Sequence, residues 1–181
     1  MPRITADTTV EELAAIISQA LDAAGITATL SGGGAVSIYT HNEYQSEDLD
    51  FVTAASHKEL RAVIEPLGFD ASKNPRQFEH PGTNWLIEFP PSPLGFGELI
   101  VDARRIPVLQ TPYGPIRIIT PTLSILDRLA AYWHHNDAQC WDQAVMVARN
   151  QAVDWDAIYK WARKEGKKRA EIDRLRSIAG I

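Results

Sequence analysis

Two short strings carry groups able to handle phosphate and a divalent cation: Ser31-Gly32-Gly33-Gly34-Ala35 and, after a polar stretch, Ser46-Glu47-Asp48-Leu49-Asp50-Phe51-Val52. A glycine turn between a strand and a helix brings bare backbone N–H groups close to something bulky and anionic. In the second string an Asp-Leu-Asp interrupts an otherwise apolar run. On a strand, alternation sends Asp48 and Asp50 to one face and Leu49 and Phe51 to the other. Two same-face carboxylates repel unless a cation sits between them. A phosphate cradle beside such a pair is the equipment of phosphoryl or nucleotidyl transfer. A third acid is expected, and Trp85-Leu86-Ile87-Glu88-Phe89 supplies it: Trp85, Ile87 and Phe89 share a core-facing side and Glu88 points the other way. Asp102 is the rival, ranked lower because Arg104 and Arg105 offer it an ordinary ion pair.

The elements that would hold these groups are readable from pattern. Thr8/Glu11 and Thr9/Glu12 form overlapping capping boxes ahead of the apolar stripe Val10, Leu13, Ile16, Ile17, Ala20 and Leu21, a helix that Gly25 ends. Residues 26–30 alternate as a strand leading into the glycine turn, 35–39 open a short helix, and 48–53 form the second strand. Ser56 with Glu59 caps a third helix, closed by Gly68. Strands at 76–80 and 85–89 flank the turn Pro81-Gly82-Thr83-Asn84, and another hairpin joins 106–110 to 115–119 around Thr111-Pro112-Tyr113-Gly114. Residues 90–95, rich in proline, read as loop. From Pro121 onward everything reads helical, with caps at Thr120 or Thr122, at Asn136 or Asp137, and at Asp154. The chain divides into a mixed part, 1–119, and a helical part, 120–181.

Composition limits the function classes. The chain has 181 residues, 45% of them hydrophobic and 23% charged, which suits one domain or one domain with a small appendage. No apolar stretch approaches the roughly 20 residues of a membrane span, and Met1-Pro2-Arg3-Ile4-Thr5 lacks the apolar core of a signal peptide. The one cysteine, Cys140, has no internal partner, so a cytoplasmic location is expected. A net charge of −5 argues against a basic nucleic-acid-binding face over the whole molecule. Eight Lys and Arg residues nevertheless crowd the C-terminus, from Lys160 to Arg176, and read first as a solvated helical face.

Other candidates carry less. His134 and His135 are adjacent and diverge on a helix, so they do not chelate one ion. Tyr132, Trp133, Trp141, Trp155 and Trp161 read as helical core packing before base-stacking platforms. Cys140 reads as a small buried hydrophobe.

The glycine turn followed by Ser46-Glu47-Asp48-Leu49-Asp50-Phe51 resembles the signature of the DNA polymerase beta-like nucleotidyltransferase superfamily. The likeness is greatest to its abortive-infection (type IV toxin) members and their small bacterial relatives. Leu86-Ile87-Glu88-Phe89 matches that superfamily's third carboxylate, and residues 118–131 resemble the helix entry beyond the core, where relatives often carry lysine and this chain has Arg128. Relatives often place an arginine before the Ser-x-Asp string, where this chain has Tyr44 and Gln45. The resemblance implies an α+β fold: a small mixed or antiparallel sheet with helices on one face, then a C-terminal helical region. It implies a metal-dependent transfer of a nucleoside monophosphate from an NTP to a hydroxyl of RNA, protein or a small molecule. Asp48, Asp50 and Glu88 would hold two Mg²⁺ ions, Gly33 and Gly34 the outer phosphates, with Ser31 or Ser37 adding a hydroxyl; Arg128 would either reach the triphosphate with its guanidinium or pair with Asp127 or another helix acid. It also implies a toxin of a toxin–antitoxin pair, with an antitoxin protein as partner. The alternative from another class is a catalytically idle nucleotide- or partner-binding module of the same fold.

Overall fold

The structure, a computed structural model, describes residues 4–181. The reading of the first five residues as lacking a leader therefore lies mostly outside the described residues. The fold is α+β, built on a five-stranded mixed sheet in the order β1-β2-β5-β4-β3.

The first helix, α1 (Val10–Ala23), starts where Thr9 accepts the Glu12 N–H, and it buries the Leu13, Ile17 and Leu21 stripe. Strand β1 (Ala28–Ser31) then feeds α2 (Gly32–Tyr39) directly. The helix begins three residues earlier than the expected 35–39, because the glycines form its first turn rather than a preceding loop. Strand β2 (Asp48–Thr53) pairs antiparallel with β1. Helix α3 (His57–Ile64) opens with the Ser56/Glu59 capping box in both directions.

Strands β3 (Asp70–Ala71), β4 (Gln77–Glu79) and β5 (Leu86–Glu88) complete the sheet, and β5 runs parallel to β2. The sheet's inner face is fully buried at Leu49, Phe51, Phe78, Ile87 and Phe89, with the Phe89 ring tilted against Phe51 and edge-on to Phe78. Arg76 ties the edge together, donating to the carbonyls of Thr53, Ala55 and Phe89.

The expected loop at 90–95 is partly strand. Leu94–Phe96 forms β6 and pairs with β7 (Leu99–Val101) around Gly97 at φ +58°. Proline content hid it; the buried side chains of Leu94 and Phe96 hold it, and Trp161 Nε1 donates to the Phe96 carbonyl at 3.0 Å. The hairpin of β8 (Val108–Thr111) and β9 (Gly114–Arg117) packs on α1.

Helix α4 (Pro121–His135) starts at the Thr120 cap with proline in its first turn. It is followed by α5 (Gln139–Asn150), α6 (Trp155–Lys164), capped by Asp154, and α7 (Arg169–Ala179). Helices α4 and α5 lie against α2, so the helical region covers the glycine turn's flank. Tyr39 on α2 fixes this join by donating its buried hydroxyl to the Ile119 carbonyl at 2.6 Å. Four of the C-terminal cations lie over aromatic rings: Lys167 on Trp133, Arg169 on Tyr159, Arg174 on Trp141 and Arg176 on Trp155. Trp133 stacks on Trp161 at 5.3 Å, so these aromatics pack the helical core as the pattern suggests. Among the described residues no helix is long and apolar enough to cross a membrane.

Candidate active site

Strand alternation places Asp48 and Asp50 outward while Leu49 and Phe51 are fully buried. In the ladder Asp50 stands opposite Ser31 on β1 and opposite Glu88 on β5. Three carboxylates therefore rise from two adjacent strands on the sheet's open face, at the N-terminal end of α2. Their charges meet in a partly dry setting. Burial pushes the Asp50 carboxyl up to about 6; Glu88, Asp127 and Asp48 reinforce that rise, and Arg128 opposes it. Asp48 is raised as well, by burial first and then by Glu88 and Glu47.

The side chains do not form a closed ligand cage. Among the described residues no three His, Cys, Asp or Glu groups converge closely enough to hold an ion as they stand, and Glu88 takes a hydrogen bond from Gln77 on β4. The donor set nonetheless suits Mg²⁺, a hard cation that takes one or two carboxylates and completes its shell with water and substrate phosphates. Burial first and neighbouring carboxylates second raise both aspartates, and a bound cation would offset both costs.

The glycines divide their duties. Gly32 sits at φ +65°, and a Cβ there would run into Asp50 Oδ2. A Cβ on Gly34 would lie 2.6 Å from Leu49 Cδ2, so this glycine lets α2 press onto β2. Gly33 faces the open side, beneath Ser46 and Tyr44, whose nearest atoms would be 3.0 and 3.3 Å from a Cβ. Ser31, 7% exposed, occupies the N-cap position yet makes no capping bond. Ser37 is a correction: its fully buried hydroxyl donates to the Gly33 carbonyl at 3.1 Å and accepts the Ser46 N–H at 2.9 Å. It braces the turn from behind and offers nothing to a phosphate.

Arg128 enters from α4. Its Nη2 donates to Asp127 Oδ2 at 2.8 Å, and Nη1 donates to Gln143 Oε1 at 3.2 Å and to Cys140 Sγ at 3.4 Å. Burial pushes the Cys140 thiol up to about 11, which suits a packing residue rather than a nucleophile. Asp102 keeps its ordinary partner, Arg104 at 3.1 Å, away from this face.

Two groups, and one contact of a third, escaped sequence reasoning. Asp127 accepts the Gly32 N–H at 3.0 Å across 95 residues. Tyr44 roofs Gly33, and its phenol, raised by burial, lies within the electrostatic reach of Arg128, Cys140, Asp48 and Asp137. Ser46 braces the start of β2 through the Asp48 backbone. The available signal was Tyr44 standing where an arginine was expected.

No family model and no curated protein sequence matches the chain. Solved structures do. The crystal structure of an antigenic nucleotidyltransferase-like protein from Paracoccidioides brasiliensis aligns with a TM-score of 0.58 at 13% identity, covering 94% of this chain and 93% of that one. The solution structure of the antibiotic-resistance factor ANT(2'')-Ia aligns at 0.50 and 16% identity, covering 77% of this chain and 82% of its own. The crystal structure of ANT(2'')-Ia with adenylyl-2''-tobramycin aligns at 0.50 and 14% identity, covering 94% and 95%. At these identities the likeness is one of fold, shared with a nucleotidyltransferase-like protein and with ANT(2'')-Ia.

Proposed function

We propose that the protein is a Mg²⁺-dependent nucleotidyltransferase that moves a nucleoside monophosphate from an NTP onto an acceptor hydroxyl. The observation that carries this reading is the register that sets Glu88 beside Asp50, two residues from Asp48, at the glycine-rich start of α2. Supporting it, the ANT(2'')-Ia complex holds an adenylylated small molecule on the same fold.

Asp48 and Asp50 would hold Mg²⁺, with Glu88 joining once released from Gln77. The bound cation supplies charge neutralisation on the triphosphate and acidifies the attacking hydroxyl. The chain's own groups do the rest. Backbone N–H groups at Gly33 and Gly34 receive phosphate oxygens at the positive end of α2. Arg128 adds a planar donor pair on the side of α4. The acceptor oxygen forms its bond to the α-phosphorus, the bond from that phosphorus to the bridging oxygen breaks, and pyrophosphate leaves. Glu88, on the open face, accepts the hydroxyl proton.

The test is incubation with each labelled NTP, Mg²⁺ and cell extract, beside an Asp48→Ala control. Label transfer by the wild-type chain alone is the expected result; equal labelling in both, or none in either, overturns the reading.

A further inference from the structure

The first backbone donor of α2 is already occupied. Gly32 is the first helical residue, and its N–H goes to Asp127 Oδ2 at 3.0 Å. The same oxygen accepts Arg128 Nη2 at 2.8 Å, with the two side chains 20% and 14% exposed. Serine is among the best N-cap residues, yet Ser31 makes no capping bond. The cap is supplied instead by a carboxylate from another element. Asp127 thus engages the two kinds of donor, helix-start amide and guanidinium, that bind a phosphate group. Asp50 presses on Gly32 from the other side, so the glycine lies between two carboxylates. Arg128 retains a spare donor, its Nε, which is buried without a partner.

We propose that Asp127 is a specificity-determining residue that acts as an internal surrogate for phosphate, holding the Gly32 amide and Arg128 until a polyphosphate displaces it. The inference rests on the cradle reading above and goes further, since it says which anions are refused. An isolated orthophosphate offers one small anion against an intramolecular carboxylate that costs no association entropy. A triphosphate brings several phosphates and its own cation, so it can outcompete Asp127. Once displaced, Arg128 exchanges one anionic partner for another and never stands uncompensated.

The experiment uses the full chain and the variant Asp127→Asn, which keeps an acceptor for Gly32 but loses the charge. Calorimetry in Mg²⁺ measures inorganic triphosphate and orthophosphate binding to both, while ¹⁵N NMR follows the Gly32 amide. In the variant, triphosphate is expected to bind tenfold or more tightly than in the wild type, and orthophosphate binding becomes measurable. In the wild type, saturating triphosphate is expected to move the Gly32 resonance, reporting departure of Asp127. Equal affinities together with an unmoved Gly32 resonance would overturn the inference while leaving the cradle in place. A variant that binds triphosphate more weakly would overturn it too, by making Asp127 part of the binding set. Two folded proteins that both ignore triphosphate would overturn the cradle reading itself.

Discussion

Neutralising Asp50 should stabilise the protein while destroying its activity. Burial, then the charges of Glu88, Asp127 and Asp48, outweigh the opposing Arg128 and raise the Asp50 carboxyl from 3.8 to about 6. The folded chain therefore holds that proton more tightly than the unfolded chain does. The stabilisation is complete below about pH 4, declines as pH rises through 6, and is gone above it. The rise corresponds to about 2–3 kcal/mol at 1.36 kcal/mol per unit. In EDTA at pH 8, Asp50→Asn should unfold about 5–10 °C above the wild type, from ~2–4 °C per kcal/mol for a chain of this length. Near pH 4 the two should coincide. Mg²⁺ at pH 8 should raise the wild-type midpoint and leave the variant almost unmoved, since the cation offsets the cost of the buried charge. Scanning calorimetry of both proteins at pH 4, 6 and 8 reads all of this. Coincident midpoints at pH 8 in EDTA would refute the argument, because they would mean that burying a charged Asp50 beside its neighbouring carboxylates costs nothing.

Two glycines and a distant latch give three further tests. Gly34→Ala puts a methyl 2.6 Å from Leu49 Cδ2 and should cost about 1–3 kcal/mol by overpacking. Gly33→Ala meets only side chains able to yield, so its urea midpoint should stay near wild type while NTP binding weakens about tenfold, one hydrogen bond's worth. Glu165, with a side chain 3% exposed, accepts the Glu98 N–H at 2.8 Å and meets His134 Nε2 at 3.1 Å. Glu165→Ala should lower stability by ~1–3 kcal/mol through the stranded amide, with hydrogen exchange at Glu98 rising first.

Much of the fold was legible because it rests on local rules. Capping pairs such as Ser56/Glu59 need only four consecutive residues. The outward pair Asp48 and Asp50 follows from a period of two, and the 77–88 hairpin from its turn residues. What failed locally failed for stated reasons. Strand β6 lies in a proline-rich stretch and is held by Leu94, Phe96 and the Trp161 bond, none of them local. Ser37 lies one turn into α2, and only the packed fold shows its hydroxyl turned to Gly33 and Ser46.

The amino-acid order alone determined which side chains could meet on one strand face, where α1, α3, α4 and α6 begin, and that a glycine turn precedes an acidic pair. Those are consequences of backbone geometry over a few residues. Tertiary structure alone decided that Glu88 lies beside Asp50 through a parallel pairing and that Asp127 reaches Gly32 from 95 residues away. Such contacts depend on how packed layers bring remote segments together. An unpaired backbone N–H or buried charge accepts whichever partner that packing delivers.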